Sequence, residues 1–342
     1  GSSASVAEWL SQQLRQRKDV PAIATTAASL PSDLLRPDDV LIAISQSGET
    51  APVIDAIGTH EESATIAVTQ RGTRLSGKVD HVIPLPAFEE SEDIDRYATK
   101  STIGQIAVVQ AALFDYTPDL DTVKSRFEAL DAFVDEHLPS ERSMGLRRGS
   151  QIVEAIDALA DSSDLRSTPI FAHTSQQSGV GAEMSLKFSE FAHVSANTIH
   201  VGDIRDRALN LLKHDKAYLI GIVPDLEDPR SWADVVYRDN KSINEQFGDG
   251  TNESQLPLIA FSFGRPDIDN GIRSASKYGR QGLISIETYA PTWKFRSLIQ
   301  FAGVQLFAFG VLSELWGDPD SRLDSHVIED VYADDLVKWS EL

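Results

Sequence analysis

Two stretches of the sequence combine residue types that can bind and transform an anionic substrate. After an apolar run, LIAI, residues Ser45 to Thr50 read SQSGET and supply three hydroxyl groups beside a glycine. Hydroxyl and backbone N–H donors at the start of a helix bind anions such as phosphate. The second stretch, AEMSLKFSEF, places Glu183, Lys187 and Glu190 at i, i+4 and i+7, on one face of a helix. A carboxylate beside a lysine is suited to general acid–base catalysis.

Each stretch also has a purely structural interpretation. A serine or threonine just before a helix most often caps that helix, which would be the role of Ser47 or Thr50. Acidic and basic residues four positions apart on a helix commonly form exposed ion pairs that add only a few tenths of a kcal/mol each. Under that interpretation, Glu183, Lys187 and Glu190 form a solvated ladder.

Apolar runs and helical segments alternate along the chain, which predicts a parallel sheet covered by helices. In the first half, strands are expected at Val20 to Ala28, at LIAI, at Ser63 to Thr69 and at HVIPLP, followed by a helix, STIGQIAVVQAALFDY. A second cycle of strand, Ser/Gly turn and helix begins at Pro169 with PIFAHT, SQQSGVG and AEMSLKFSEFAHV. The strands AYLIGIV, PLIAFSF and GLISIE follow, and then an apolar helix around SLIQFAGVQLFAFGVLSELWG. The repeated order indicates an internal duplication.

The string SQSGET after a buried strand resembles the phosphosugar-binding signature of sugar isomerase (SIS) domains. The order of segments is similar to the double-SIS type, which includes the isomerase half of glucosamine-6-phosphate synthase and stand-alone phosphosugar isomerases and deglycases. This resemblance implies an α/β fold with two tandem doubly wound, flavodoxin-like domains. It predicts a first SIS domain at residues 1–116, a helical linker at 117–167, a second SIS domain at 168–318 and an acidic C-terminal tail at 319–342.

The resemblance also implies which residues contact a substrate. SIS domains begin with a strand, a short Gly-Ser/Thr-Ser loop and a helix. Gly1-Ser2-Ser3 is similar to that loop, and the strand before it is expected to be missing from this sequence; a tripeptide left by cloning is the alternative. The expected substrate-binding residues are Ser3, Ser45, Gln46, Ser47, Thr50 and Thr99. The expected catalytic residues are Glu190 as the base, Lys187 beside it, and His326.

Two positions depart from the pattern of the relatives that process glucosamine 6-phosphate. Those relatives carry a ring-opening histidine in a G-E-x-x-H-G-P segment, and this sequence has Asp206 at that position. Aspartate is a poorer proton shuttle at neutral pH than imidazole. His326 stands roughly where the relatives have the lysine of a D-x-D-x-P-R-x-L-x-K motif. A surface role for this lone histidine is the alternative.

The resemblance to SIS domains implies a sugar-phosphate ligand and proton transfer between C1 and C2 of that sugar. The reaction would be aldose–ketose isomerisation, or deamination or deglycation of an amino-sugar phosphate. The alternative is a non-catalytic sugar-phosphate sensor, which Asp206 favours, and a structural dimer that binds nothing is a third reading. The chain has no cysteine and therefore no cysteine-dependent glutaminase. No cofactor or metal is expected, since no motif for either is present.

The net charge of the chain indicates which classes of macromolecule it is unsuited to bind. A net charge of -21 argues against nucleic acid, which requires clustered lysine and arginine. No apolar run approaches the length of a membrane helix, so a soluble, cytoplasmic protein is expected. Such an excess of acidic residues is also found in proteins of salt-loving organisms, and a haloarchaeal source is our hypothesis. A homodimer is expected because relatives build each site from two subunits.

Overall fold

The computed structural model of this protein describes residues 1–31, 35–36, 38–60, 63–86, 99–114, 168–191, 195–204, 217–222, 258–262, 281–285, 297–298, 300–305 and 308. These ranges form two parallel sheets with helices packed against them. The prediction of an α/β fold with parallel sheets is therefore confirmed. None of the helices in these ranges is long and apolar enough to cross a membrane.

The first sheet contains three parallel strands, β1 (Val40–Ile44), β2 (Ala64–Gln70) and β3 (His81–Leu85), in the order β1-β2-β3. Helix α2 (Ala51–Thr59) connects β1 to β2 and covers one face of the sheet. The three strands agree with those predicted from LIAI, Ser63 to Thr69 and HVIPLP, because buried parallel strands are continuous aliphatic runs. Their core consists of Ala43, Ile54, Ile57, Ala67 and Leu75.

The second sheet contains five parallel strands in the order β5-β4-β6-β7-β8. Their bounds are β4 (Thr168–His173), β5 (Asn197–His200), β6 (Ala217–Ile222), β7 (Leu258–Ser262) and β8 (Gln281–Ser285). The second strand along the chain pairs outside the first and the third pairs on its other side, which is the flavodoxin-like order. In such sheets ligands bind beyond the carboxyl ends of the strands, where the order reverses.

The described residues include four further α-helical segments. Helix α1 (Ser2–Lys18) contacts α3 (Thr99–Phe114), β1 and α4 (Ser178–Phe191). Helix α1 ends where Asp19 turns into the left-handed region at φ 52°, and its last turn carries three basic side chains that complement the helix dipole. Residues 297–298, 300–305 and 308 are also helical and are called the C-terminal helical segment below.

Helices α1 and α4 approach each other at Gly179. A Cβ atom at this position would lie 2.6 Å from the carbonyl oxygen of Ser5, 2.6 Å from the Cβ of Trp9 and 2.7 Å from its backbone nitrogen. Only glycine permits this approach. The Ser178 hydroxyl donates to Glu8 Oε1 at 2.9 Å across the same interface. The first turns of α1 therefore lie directly beside the first half of α4.

Two local predictions were wrong. Val20 to Ala28 is not a strand: its described backbone is irregular up to a short 3-10 helix, Ala27–Ser29, and the Ile23 side chain is 79% exposed. A strand needs a neighbour for its backbone hydrogen bonds, and no strand among the described residues pairs with the outer edge of β1. Likewise, Ser2 and Ser3 do not form a loop, because α1 begins at Ser2 with Gly1 at its N-cap.

Candidate functional site

The SQSGET residues form a closed loop between β1 and α2, here called the hydroxyl loop (residues 45–50). The Ser45 and Thr50 hydroxyl oxygens lie 3.2 Å apart, so one donates to the other across the loop. The Gly48 N–H donates to Ser45 Oγ at 3.3 Å, and the Glu49 N–H donates to Ser47 Oγ at 3.3 Å. These hydrogen bonds within the loop hold its residues close together at the end of β1.

The capping interpretation does not account for this loop. Thr50 is the N-cap residue of α2, yet its side chain makes no capping hydrogen bond. The Ser47 hydroxyl accepts from Glu49, which precedes the helix. Among the described residues, the backbone N–H groups of Ser47, Thr50 and Ala51 have no protein acceptor. The positive end of the α2 dipole and these donors can therefore bind an anion.

Gly48 gives the hydroxyl loop its shape. Its φ of 64° lies in the left-handed region, and a Cβ atom there would be 2.2 Å from Thr73 Oγ1 and 2.6 Å from Thr69 Oγ1. The Gly48 carbonyl also accepts from the Leu75 N–H at 3.0 Å. The Arg74 N–H donates to Glu49 Oε1 at 2.9 Å. The segment after β2 thus holds the hydroxyl loop in place through these two hydrogen bonds. Only glycine fits at position 48.

On α4 the structure brings Lys187 and Glu190 together as an ion pair. The Lys187 Nζ donates to Glu190 Oε2 at 2.7 Å. The Lys187 side chain is fully buried, whereas the Glu190 side chain is 32% exposed. A solvated ladder of charges would leave all three side chains in water, so that interpretation of α4 is wrong. A buried ammonium group requires a close carboxylate because desolvation of the charge is costly.

Glu183 is the third charged residue of this cluster and, like Lys187, is fully buried. Its Oε1 lies 3.9 Å from Lys187 Nζ and accepts hydrogen bonds from Ser2 Oγ at 3.2 Å and Gln305 Nε2 at 2.8 Å. Burial raises the pKa of Glu183, and the charge of Lys187 opposes that rise. Sequence spacing placed Glu183 on the face of Lys187, but Ser2 and Gln305 are 181 and 122 residues away in the chain. No sequence pattern indicated these contacts.

A second polar cluster, also missed by sequence reasoning, lies at the carboxyl ends of β4 and β5. His173 Nδ1 is 2.9 Å from the carbonyl oxygen of Thr174, and burial lowers the pKa of His173. The Gly202 N–H donates to His200 Nδ1 at 3.1 Å, while His200 Nε2 lies 3.3 Å from Ser175 Oγ. The neutral His200 ring then carries its proton on Nε2 and donates to Ser175. It cannot activate this serine as a nucleophile.

Of the remaining predicted site residues, some lie within the described part of the chain and others lie outside it. Ser3 lies in the first turn of α1, next to Ser2, and is half-buried. Gln46 is held by its carbonyl oxygen, which accepts from the Gln70 N–H at 3.3 Å. Thr99 is the first residue of α3, and its side chain lies outside the described part of the chain. His326 and Asp206 also lie outside the described residues. No group of three or more His, Asp or Glu side chains within the described ranges could hold a metal ion.

The parallel sheets and the flavodoxin-like strand order define a doubly wound α/β fold, in which ligands generally bind at the carboxyl ends of the strands. Residues 1–114 of this chain match the family model of the SIS domain. Among curated protein sequences, none matches this chain.

Solved structures with the same fold include three named proteins. The C-terminal domain of glucosamine-fructose-6-phosphate aminotransferase from Francisella tularensis is 15% identical, with 94% of this chain and 84% of that chain covered and a TM-score of 0.66. Tagatose-6-phosphate ketose/aldose isomerase from Escherichia coli is 15% identical, with 94% and 81% covered and a TM-score of 0.65. Glucosamine-6-phosphate deaminase from Thermotoga maritima is 14% identical, with 95% and 86% covered and a TM-score of 0.60. At these identities the likeness shows the fold.

Proposed function

We propose that this protein binds a sugar phosphate and transfers a proton between C1 and C2 of its open-chain form. The observation that carries the proposal is the pair on α4, in which a fully buried Lys187 holds the partly exposed Glu190 at 2.7 Å. Lys187 binds one carboxylate oxygen of Glu190, and the exposed part of the side chain is accessible to a ligand. A carboxylate positioned in this way can accept a proton from one carbon and return it to the next.

The phosphate would be bound by the hydroxyl loop. Ser45, Ser47 and Thr50 provide hydroxyl groups, and the first N–H groups of α2 provide backbone donors. Local donors are required because the net charge of -21 repels an anionic ligand from the molecule as a whole. Ser3, Gln46 and Thr99 are proposed as further contacts to the sugar, and His326 as a proton donor, on the resemblance to SIS domains.

The reaction proposed is aldose–ketose isomerisation, or deamination or deglycation of an amino-sugar phosphate. The names of the structural neighbours, which include a ketose/aldose isomerase and a deaminase, support this range of chemistry. Two tandem SIS domains are proposed, since the second sheet has the flavodoxin-like order. A homodimer in a salt-rich cytoplasm is part of the same proposal and rests on the family resemblance and the acidic composition.

A sugar-phosphate sensor is the second candidate function. It is favoured by Asp206, which stands where the relatives that process glucosamine 6-phosphate have their ring-opening histidine. A sensor would keep the hydroxyl loop and bind the ligand without turning it over.

Proton exchange at sugar C1 and C2 in heavy water, followed by NMR at high salt, tests the proposal. The substrates are fructose 6-phosphate, glucose 6-phosphate and glucosamine 6-phosphate. Exchange is expected with at least one of them and should be lost in Glu190→Gln. The matched control is Asp55→Asn, which also replaces a carboxylate by an amide, but on the exposed side of α2. Unchanged exchange in Glu190→Gln refutes the assignment of the base, and saturable binding without exchange in the wild-type protein identifies a sensor.

A further inference from the structure

Glu183 differs from Glu190 in its surroundings, although both face Lys187. Glu183 is fully buried and contacts two other segments of the chain as well as Lys187 on its own helix. Its Oε1 accepts from Ser2 on α1 and from Gln305 on the C-terminal helical segment, and it lies 3.9 Å from Lys187. The two hydrogen bonds and the ion pair all reach the same oxygen of this carboxyl group.

The other oxygen, Glu183 Oε2, has no hydrogen-bond partner among the described residues. A buried carboxylate oxygen without a partner is unfavourable, and the hydrogen bonds from Ser2 and Gln305 both reach Oε1. The groups that act on Glu183 are the hydroxyls of Ser2 and Ser5 on α1, the Gln305 amide and the Lys187 ammonium group. Lys187 is the one charged group among them.

The ammonium group of Lys187 therefore lies at different distances from two carboxyl groups. It is 2.7 Å from Glu190 and 3.9 Å from Glu183. When Glu183 is ionised, it attracts Lys187 away from Glu190. When Glu183 is neutral, this attraction is lost, whereas the attraction of Lys187 to Glu190 remains. The charge on Glu183 thus affects the position of a group that contacts the proposed base directly.

We propose that Glu183 is a positioning residue that sets where the Lys187 ammonium group lies and, through it, how Glu190 is oriented for proton transfer. The part of this inference that concerns proton transfer by Glu190 rests on the proposed function. The effect of Glu183 on the position of the Lys187 ammonium group does not depend on any reaction. Glu183 also joins α1, α4 and the C-terminal helical segment at one carboxyl group, so the orientation of Glu190 depends on how these segments pack.

The variant that separates charge from packing is Glu183→Gln. Its side-chain oxygen can still accept from Ser2 and Gln305, and its NH2 group would occupy the place of the unpartnered Oε2. The matched control is Glu8→Gln. Glu8 also bridges α1 and α4, by accepting from Ser178, but it does not contact Lys187.

The direct test is the 15N and 1H resonance of the Lys187 ammonium group in the protein without ligand. It should shift in Glu183→Gln and stay unchanged in Glu8→Gln. Equal resonances in the wild type and Glu183→Gln overturn the inference. This measurement gives an answer whether or not the protein proves to be an enzyme.

The kinetic test uses the sugar phosphate that shows exchange with the wild-type protein. Glu183→Gln is expected to lower kcat about tenfold or more while KM stays within about twofold, since misplacing a catalytic group affects the chemical step. Because burial raises the pKa of Glu183 above its ordinary value of 4.5, the wild-type pH–rate profile should contain a titration step that Glu183→Gln lacks. Identical pH profiles in wild type and variant contradict the inference, whereas activity that survives Glu190→Gln contradicts the proposed function.

Discussion

Replacing Gly179 by alanine tests the close contact between α1 and α4. In an unhindered helix, alanine is more favourable than glycine by about 1 kcal/mol. Here the added Cβ would lie 2.6 Å from the Ser5 carbonyl oxygen and from Trp9 Cβ. The Ser5 oxygen and the Trp9 nitrogen are backbone atoms of α1, and neither can be moved by rotating a side chain. Relief requires the two helices to separate.

The expected cost follows from these distances. Favourable contacts between carbon atoms lie at about 3.5–4.0 Å, so α1 must withdraw by about 1 Å. Overpacking of this kind costs about 1–3 kcal/mol, and the rigidity of the backbone contact favours the upper part of that range. After subtraction of the helix propensity gain, Gly179→Ala should destabilise the protein by about 2 kcal/mol. The same withdrawal would stretch the bond from Ser2 to Glu183, which measures 3.2 Å.

Urea unfolding followed by tryptophan fluorescence measures this change, and Trp9 lies at the contact itself. The matched control is Gly58→Ala, which makes the same substitution in α2 at a position where a Cβ meets nothing within 4 Å. That control should gain about 0.5–1 kcal/mol. The reasoning is refuted if Gly179→Ala is as stable as the wild type or more stable while the control behaves as expected.

Two further predictions concern the hydroxyl loop and the carboxyl end of β4. Gly48→Ala should destabilise the protein by at least about 1–2 kcal/mol, the cost of a left-handed conformation, and should weaken sugar-phosphate binding in calorimetry; wild-type affinity in this variant would mean that the loop does not form the phosphate site. Burial lowers the pKa of His173 below its ordinary value of 6.5, so the folded protein resists protonation of this ring. The contribution of His173 to the free energy of unfolding should therefore be fully present above pH 6.5 and should decrease as the pH falls below 6.5. The glutamine of His173→Gln cannot titrate, so the free energy of unfolding of this variant, measured in urea, should change less between pH 7 and pH 5 than that of the wild type. An equal change in both proteins would contradict a lowered pKa of His173.

Much of the fold could be predicted because it depends on local sequence. The strands β1, β2 and β4 are short aliphatic runs, and such runs are typical of strands buried on both faces of a parallel sheet. The SQSGET string predicted a loop between a strand and a helix, and helical spacing placed Lys187 and Glu190 on one face. The same local features carry the resemblance to SIS domains, and residues 1–114 match the SIS family model.

The errors arose where a distant neighbour decides the outcome. Val20 to Ala28 has the apolar content of a strand, but a strand forms only beside a pairing partner, and none lies there in the described part of the chain. Ser2 and Ser3 look like loop residues, yet they begin α1, whose packing against α4 stabilises the first turn.

By itself, the sequence determined the periodicity of the elements, the hydroxyl loop and the spacing of the charged residues on α4, because each depends on residues a few positions apart. Only the tertiary structure decided that Lys187 and Glu183 are buried. Buried Glu183 accepts hydrogen bonds from Ser2 and Gln305, which approach from distant parts of the chain. A charged side chain leaves water only where such partners replace its hydration, and that replacement is a property of the assembled fold.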